Sequence, residues 1–379
     1  MIRFENVCKS YKNTDDDVVK NVSFEIEKGK LVVLIGPSGC GKTTCLKMIN
    51  RLEKVSSGKI YINGKPNDEY DPIELRRSMG YVIQQTGLFP HMSVRDNIEI
   101  IQKLSNVEEA KINTRTKELM KMISLDEEYL DRYPTQLSGG QLQRIGVARA
   151  FAMDPEIILM DEPFSALDPL TRTQLQDELI FIQSRIKKTI VFVTHDMNEA
   201  IKLADMICIM KNGEIVQYDT PENIMKNPAN DYVSNFVGKN RIWSNPKYIH
   251  ASDIMIEKPF SVPEEMGLIR CIELMRAKHV TSAMVLNSND DFVGIVSGDE
   301  IQKGINSNVP VSMLCKYPEV VAYEKDNLLD LISIFEKGNL SYLAVLNDKQ
   351  KLVGLITKSS LVTALSQQYI DGKELNTNA

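Results

Sequence analysis

Gly36-Pro37-Ser38-Gly39-Cys40-Gly41-Lys42-Thr43-Thr44 is the stretch whose residue types and spacing most directly specify chemistry. A Gly-x-x-x-x-Gly-Lys-Thr run lets backbone N–H groups wrap an anion, and a helix starting there points its positive end at the same place. In that frame Lys42 reaches the β- and γ-phosphates of a nucleotide, and the Thr43 hydroxyl offers an oxygen to magnesium. A second constellation, Asp161-Glu162, ends the apolar run Ile157-Ile-Leu-Met160. Asp161 suits magnesium held through its water shell, and Glu162 can accept a proton from an attacking water. An acidic pair after a strand is otherwise a solvated turn or a helix start, and the loop at 36–43 tips the choice toward catalysis.

Elements must hold these groups together. The loop needs a strand before it, and Leu31-Val-Val-Leu-Ile35 has the right length and polarity; Ile190-Val-Phe-Val193 reads as a further buried strand. Residues 1–236 alternate such runs with helical patterns, which predicts an α/β domain with a mostly parallel sheet. Between about 85 and 154 the pattern turns helical and polar, which predicts an inserted helical subdomain. The 379 residues exceed what one core organises, so two or three domains are expected. A net charge of -6 gives no reason to expect nucleic acid as a partner. The start Met1-Ile2-Arg3-Phe4 lacks the pattern of a signal peptide, and no apolar run is long enough to span a bilayer. Six scattered cysteines without a Cys-x-x-Cys pair read as small buried hydrophobes.

Leu137-Ser138-Gly139-Gly140-Gln141 alone would be a turn. Lying about twenty residues before Asp161-Glu162, it makes residues 1–236 resemble an ATP-binding cassette (ABC) ATPase, a P-loop NTPase fold with an inserted helical subdomain. The resemblance implies a homodimer that sandwiches two ATP molecules with Mg2+, where Ser138 to Gln141 meet the γ-phosphate held by the opposite protomer. It also implies that Gln84 contacts magnesium, with Gln85 the alternative one position on. By the same resemblance Asp168, in Ser165-Ala-Leu-Asp168, belongs to a loop by which protomers sense each other, and His195 holds the γ-phosphate and orients the water. Tyr11 is either the aromatic that stacks on adenine or an edge residue packed on the first sheet. In importers similar to this sequence, the surface near Gly87-Leu-Phe-Pro-His91 receives a helix of an integral-membrane permease. The subunit would then sit peripherally at the cytoplasmic face of the membrane, served indirectly by an extracytoplasmic solute-binding protein.

Residues 237–249 read as a linker, and beyond them the chain repeats at an offset of sixty: Val285-Leu286-Asn287 with Val345-Leu346-Asn347, Val293-Gly294 with Val353-Gly354. Each copy reads as a turn, an amphipathic helix and two strands. The copies, 250–306 and 309–366, resemble an α+β pair of cystathionine-β-synthase-type (CBS) modules, followed by a polar tail at 367–379. A cassette joined to such a pair is similar to the ATPase subunits of glycine betaine, carnitine and choline importers. Methionine or polyamine import and a non-transport ATP-dependent sensor are the alternatives. Gly294 and Gly354 would let a ligand approach the backbone. Tyr342, Ile356, Thr357 and Lys358 are the candidate contacts for a regulatory adenine dinucleotide such as cyclic di-AMP, and ionic strength is a second candidate signal. The family pattern places an aspartate three residues after the hydroxyl that ends Gly294-Ile-Val-Ser297 and Gly354-Leu-Ile-Thr357, where this chain has Glu300 and Ser360.

Overall fold

The computed structural model describes every residue except 12–16, 85–86, 239–240, 339 and 371–379. The chain divides into two compact units, Met1–Val237 and Gly238–Ala379. In the first, ten strands lie among the described residues: β1 (Ile2–Lys9), β2 (Val19–Ile26), β3 (Leu31–Ile35), β4 (Ser57–Ile62), β5 (Lys65–Pro66), β6 (Met79–Val82), β7 (Ile157–Asp161), β8 (Thr189–Thr194), β9 (Met206–Lys211) and β10 (Glu214–Asp219). They form a four-stranded sheet, β2-β1-β4-β5, and a six-stranded sheet, β10-β9-β3-β8-β7-β6. All pairings in the larger sheet are parallel except β9 with β10. Strands β3, β7 and β8 are buried at every residue, as strands covered on both faces must be.

Helices α1 (Lys42–Ile49), α2 (Pro72–Arg77), α3 (Val94–Leu104), α4 (Glu109–Met122), α5 (Gly139–Ala150), α6 (Pro169–Ile186), α7 (Met197–Leu203), α8 (Pro221–Lys226) and α9 (Asp231–Val237) complete the unit. The main core lies between the two sheets and around α1, where Phe4 stacks on Phe24 at 4.7 Å and Leu46 and Ile49 are fully buried. Between β6 and β7 the chain leaves the sheet to build α3, α4 and α5. Ser93 starts α3, its hydroxyl accepting the Asp96 N–H at 3.1 Å, and Asn97 crosslinks the preceding loop through four hydrogen bonds to Phe89, Met92 and Ser93.

The second unit contains α10 (Ala251–Ile254), β11 (Ile256–Glu257), β12 (Ser261–Pro263), α11 (Leu268–Ala277), β13 (Ser282–Leu286), β14 (Phe292–Ser297), α12 (Gly298–Gly304), β15 (Ala322–Tyr323), α13 (Leu328–Gly338), β16 (Tyr342–Leu346), β17 (Leu352–Thr357) and α14 (Lys358–Ile370). Each copy therefore carries a short parallel strand before the expected helix and two strands, and a further helix after them. The copies are cross-laced. β11, near the start of the first copy, pairs Ile256 with Leu355 of the second, and sixty residues on Lys316, near the start of the second, bridges Ile295 of the first. Met284, Phe292 and Ile295 of one copy share a core with Ala344 and Leu346 of the other.

Residues 241–249 of the segment expected as a linker are folded into this unit. Ile249 is 1% exposed, and Ile242 and Trp243 pack on the core around Leu328, Phe335 and Val345. The apolar residues Ile242, Trp243 and Ile249 explain the difference, since each removes about 1.5–3 kcal/mol worth of apolar surface from water when fully covered. The expected tail is likewise helical through Ile370, and the rest of it lies outside the described residues.

Candidate functional site

Strand register gathers the site at one edge of the six-stranded sheet. Parallel β3 and β8 align Ile35 with Thr194, and parallel β7 and β8 align Asp161 with Val193. The phosphate loop, the acidic pair and His195 thus emerge side by side at the carboxyl ends of adjacent strands, where ligands of open α/β sheets bind. β6 ends beside β7 and brings Gln84 to the same edge.

Pro37, Ser38 and Gly39 are exposed, while Gly36, Cys40, Gly41 and Lys42 are buried, so the loop presents its tip to solvent over a fixed base. Gly41 has φ +100°, and a Cβ there would lie 2.8 Å from the Val18 carbonyl oxygen. Lys42, 6% exposed, donates from Nζ to the carbonyls of Gly36 at 2.7 Å and Pro37 at 2.9 Å. Thr43 Oγ1 donates to Asp161 Oδ1 at 2.8 Å. Burial raises the Asp161 carboxyl above the usual carboxylate range, opposed by that hydrogen bond and by the charges of Lys47 and Lys42. A hydroxyl and a carboxylate held together at the mouth of the loop are the hard oxygen donors that suit Mg2+. Thr44 follows on α1. Burial also raises the Cys40 thiol, which leaves it a poor nucleophile.

Glu162 is the hub. Its Oε2 lies 3.1 Å from His195 Nδ1 and accepts from Gln84 Nε2 at 3.3 Å. Its backbone has φ +45°, a left-handed conformation costly for a residue with a Cβ, and its N–H continues the sheet by donating to Val193 O at 3.0 Å. That turn aims the carboxylate back over the strand ends. Gln85 lies outside the described residues.

Ser138 caps α5 in a reciprocal box, its N–H donating to Gln141 Oε1 at 2.9 Å and its Oγ accepting the Gln141 N–H at 3.4 Å. Gly139 and Gly140 pack against Leu167 and Thr171, so the start of α5 rests on the loop and helix that follow Glu162. No hydrogen bond or ion pair among the described residues joins Ser138–Gln141 to the phosphate loop of the same chain. At the other end of α5, Arg149 donates to the Gly87 carbonyl at 2.7 Å. Asp168 caps α6, its Oδ1 accepting from Thr171 N at 3.0 Å. Tyr11 follows β1, 37% exposed, with Lys9 Nζ 4.6 Å over its ring.

Sequence reasoning passed over a buried polar cluster behind His195. Glu199, 5% exposed on α7, accepts from Thr194 Oγ1 at 2.6 Å and from Gln176 Nε2 at 3.2 Å. Burial raises its carboxyl, with the Thr194 hydrogen bond opposing. The available signal was an acidic residue four positions after His195 at the inward side of a short helix.

In the paired modules, Tyr342 is aligned with Thr357, whose hydroxyl lies 3.1 Å from Ser360 Oγ, and Lys358 is exposed. Ile356 is 0% exposed within the second module's core, so its side chain cannot meet a ligand. The two glycines do not open onto a ligand either. A Cβ at Gly294 would lie 2.7 Å from the Lys316 carbonyl oxygen, and Gly354 is covered by the Met255 side chain. The cross-laced segments occupy the space that the glycines free.

The family model described as ABC transporter matches residues 19–165, and that described as CBS domain matches 251–307 and 311–367. The carnitine transport ATP-binding protein OpuCA of Listeria monocytogenes is 46% identical over 96% of this chain and 91% of its own length. The glycine betaine/carnitine/choline transport ATP-binding protein OpuCA of Bacillus subtilis is 46% identical, covering 96% of this chain and 95% of that one. The osmoprotectant import ATP-binding protein OsmV of Salmonella typhimurium is 36% identical, covering 97% and 96%. Among solved structures, the dimeric post-hydrolysis cassette MJ0796 bound to ADP and Pi matches with TM-score 0.53 and 36% identity, over 58% of this chain and all but 1% of that one. With its cassette, its tandem modules and relatives alike over nearly their whole length, the chain belongs to the family of ATP-binding subunits of osmoprotectant ABC transporters.

Proposed function

We propose that two copies of this chain close over two ATP molecules and that their hydrolysis energises import of quaternary-amine osmoprotectants of the glycine betaine, carnitine and choline class. The observation that carries the chemistry is the convergence of Gln84 and His195 on Glu162, beside the Thr43–Asp161 pair. Glu162 takes the proton of the attacking water, His195 and Gln84 fix that carboxylate and the water against the γ-phosphate, and Lys42 turns from its two carbonyls to the phosphates. Thr43 and Asp161 would hold Mg2+, which neutralises phosphate charge. Ser138 to Gln141 of the opposite protomer complete the pocket with the N-terminus of α5.

The chain acts from the cytoplasmic face, and the solute passes through a permease fed by a solute-binding protein. No helix among the described residues is long and apolar enough to cross a membrane. A groove of about 560 Å³ between β6, α2 and α3, lined by Ile73, Tyr81, Phe89, Ile101, Leu104 and Arg149, suits an apolar permease helix. Ile73 and Leu104, each 58% exposed, are its open apolar rim. The modules carry regulation, with Tyr342, Thr357 and Lys358 as candidate contacts for cyclic di-AMP and ionic strength as the other signal. Uptake of labelled betaine, carnitine and choline into vesicles holding this chain and its permease tests the substrate class. Failure of all three, with ATPase intact, refutes it.

A further inference from the structure

His195 sits at the end of β8 with its side chain 62% exposed, so something other than its own packing must fix the ring. The residues flanking it are tied from behind. Thr194 Oγ1 accepts the Asp196 N–H at 3.0 Å and donates to Glu199 Oε2 at 2.6 Å, which pins the backbone on both sides of His195. Glu199 in turn reaches α6: Gln176 Nε2 donates to its other oxygen, and Arg172 Nε lies 4.0 Å away. Arg172 then donates from its guanidinium to the Leu167 carbonyl at 3.1 Å, one residue before Asp168, and faces Asp196 at 3.7 Å. Thr194, Gln176 and Glu199 are 2%, 6% and 5% exposed, so water does not compete for these bonds.

We propose that Thr194 and Glu199, with Arg172, are positioning residues for ATP hydrolysis: they hold the turn that aims His195 Nδ1 at Glu162 and tie it to the loop bearing Asp168. The proposal rests on the reading of His195 as the group that orients Glu162 and the water. Thr194 and Glu199 are buried behind that turn and bond to it and to α6, so their effect on hydrolysis passes through His195. A carboxylate was chosen there although burial disfavours it, which fits a site that must accept from two donors at once and face a guanidinium.

The test is steady-state ATPase of the full chain. Thr194→Val keeps the shape of β8 while removing the hydroxyl, and lowers kcat about tenfold or more with KM for ATP held within about twofold. Thr194→Ser, which keeps the hydroxyl, restores most of the rate. In a His195→Ala background Thr194→Val costs nothing further, since a residue acting only through His195 has no second route. Glu199→Gln, of the same size, shows the same pattern and serves if Thr194→Val does not fold. An equal loss in both backgrounds, or failure of serine to rescue, overturns the proposal while leaving His195 in its role. A His195→Ala protein that hydrolyses ATP at the normal rate overturns the role of His195 and the proposal with it.

Discussion

Asp161→Asn should make the nucleotide-free cassette more stable while abolishing its turnover. Asp161 is 7% exposed, and the side-chain donor it meets among the described residues is the neutral Thr43 hydroxyl at 2.8 Å. Lys47 and Lys42 attract it only through their charges, and Lys42 spends its Nζ on the carbonyls of Gly36 and Pro37. Desolvation therefore outweighs attraction and the carboxyl is raised. The folded protein holds this proton more tightly than the unfolded chain. Its contribution is thus favourable below the ordinary carboxylate range and is lost as pH rises through the raised value. Asparagine keeps the acceptor for Thr43 and never ionises, so at neutral pH the variant escapes that loss. Relief of a strained functional site is worth about 1 kcal/mol, or about 2–4 °C for a unit of this size. The assay is thermal unfolding of the full chain without nucleotide from pH 4 to 8, alongside ATPase. The variant's advantage should grow with pH, and its turnover should fall by about 100-fold or more through loss of charge at the metal site. A variant less stable than the parent at pH 7, or a difference that ignores pH, refutes the reasoning.

Glu162→Gln should abolish turnover and accumulate an ATP-bound dimer on size-exclusion chromatography, whereas near-normal phosphate release would remove Glu162 from its role. A chain ending at Val237 should keep basal ATPase and lose any response to salt or cyclic di-AMP, while cutting at 249 should precipitate, because it strands Ile242, Trp243 and Ile249 without their core. Ile356→Ala should destabilise the second unit by about 2–5 kcal/mol in denaturant titration, as expected for a fully buried aliphatic. Leu104→Glu should spare ATPase in solution and block uptake in vesicles if the groove beside α3 seats the permease.

What was legible in the sequence was chemistry written in consecutive residues. Gly36 to Thr44 and Asp161-Glu162 each declare themselves within a few positions, and buried strands β3, β7 and β8 show as short apolar runs. What escaped was assembled through space. The Glu199 cluster joins residues 167, 172, 176, 194 and 199 by hydrogen bonds and ion pairs that no local pattern encodes. The left-handed backbone of Glu162 is invisible because glutamate carries no preference for it. Gly294 and Gly354 misled for the same reason: a glycine advertises room, and only the fold reveals that Lys316 and Met255 take it. The segment 241–249 looked like a spacer because its three anchors are dispersed among polar residues.

The hydrogen bond from Arg149 to Gly87 gives α5 a mechanical meaning. Its twelve residues make a rod about 18 Å long. One end is capped by Ser138, where the opposite protomer's nucleotide would dock, and the other grips the loop lining the groove beside α3. A rotation of about 10° about one end carries the other through about 3 Å, the scale of a domain closure. The helix can thus act as a crank, converting a change in the gap between protomers into a stroke at the groove beside α3 without bending.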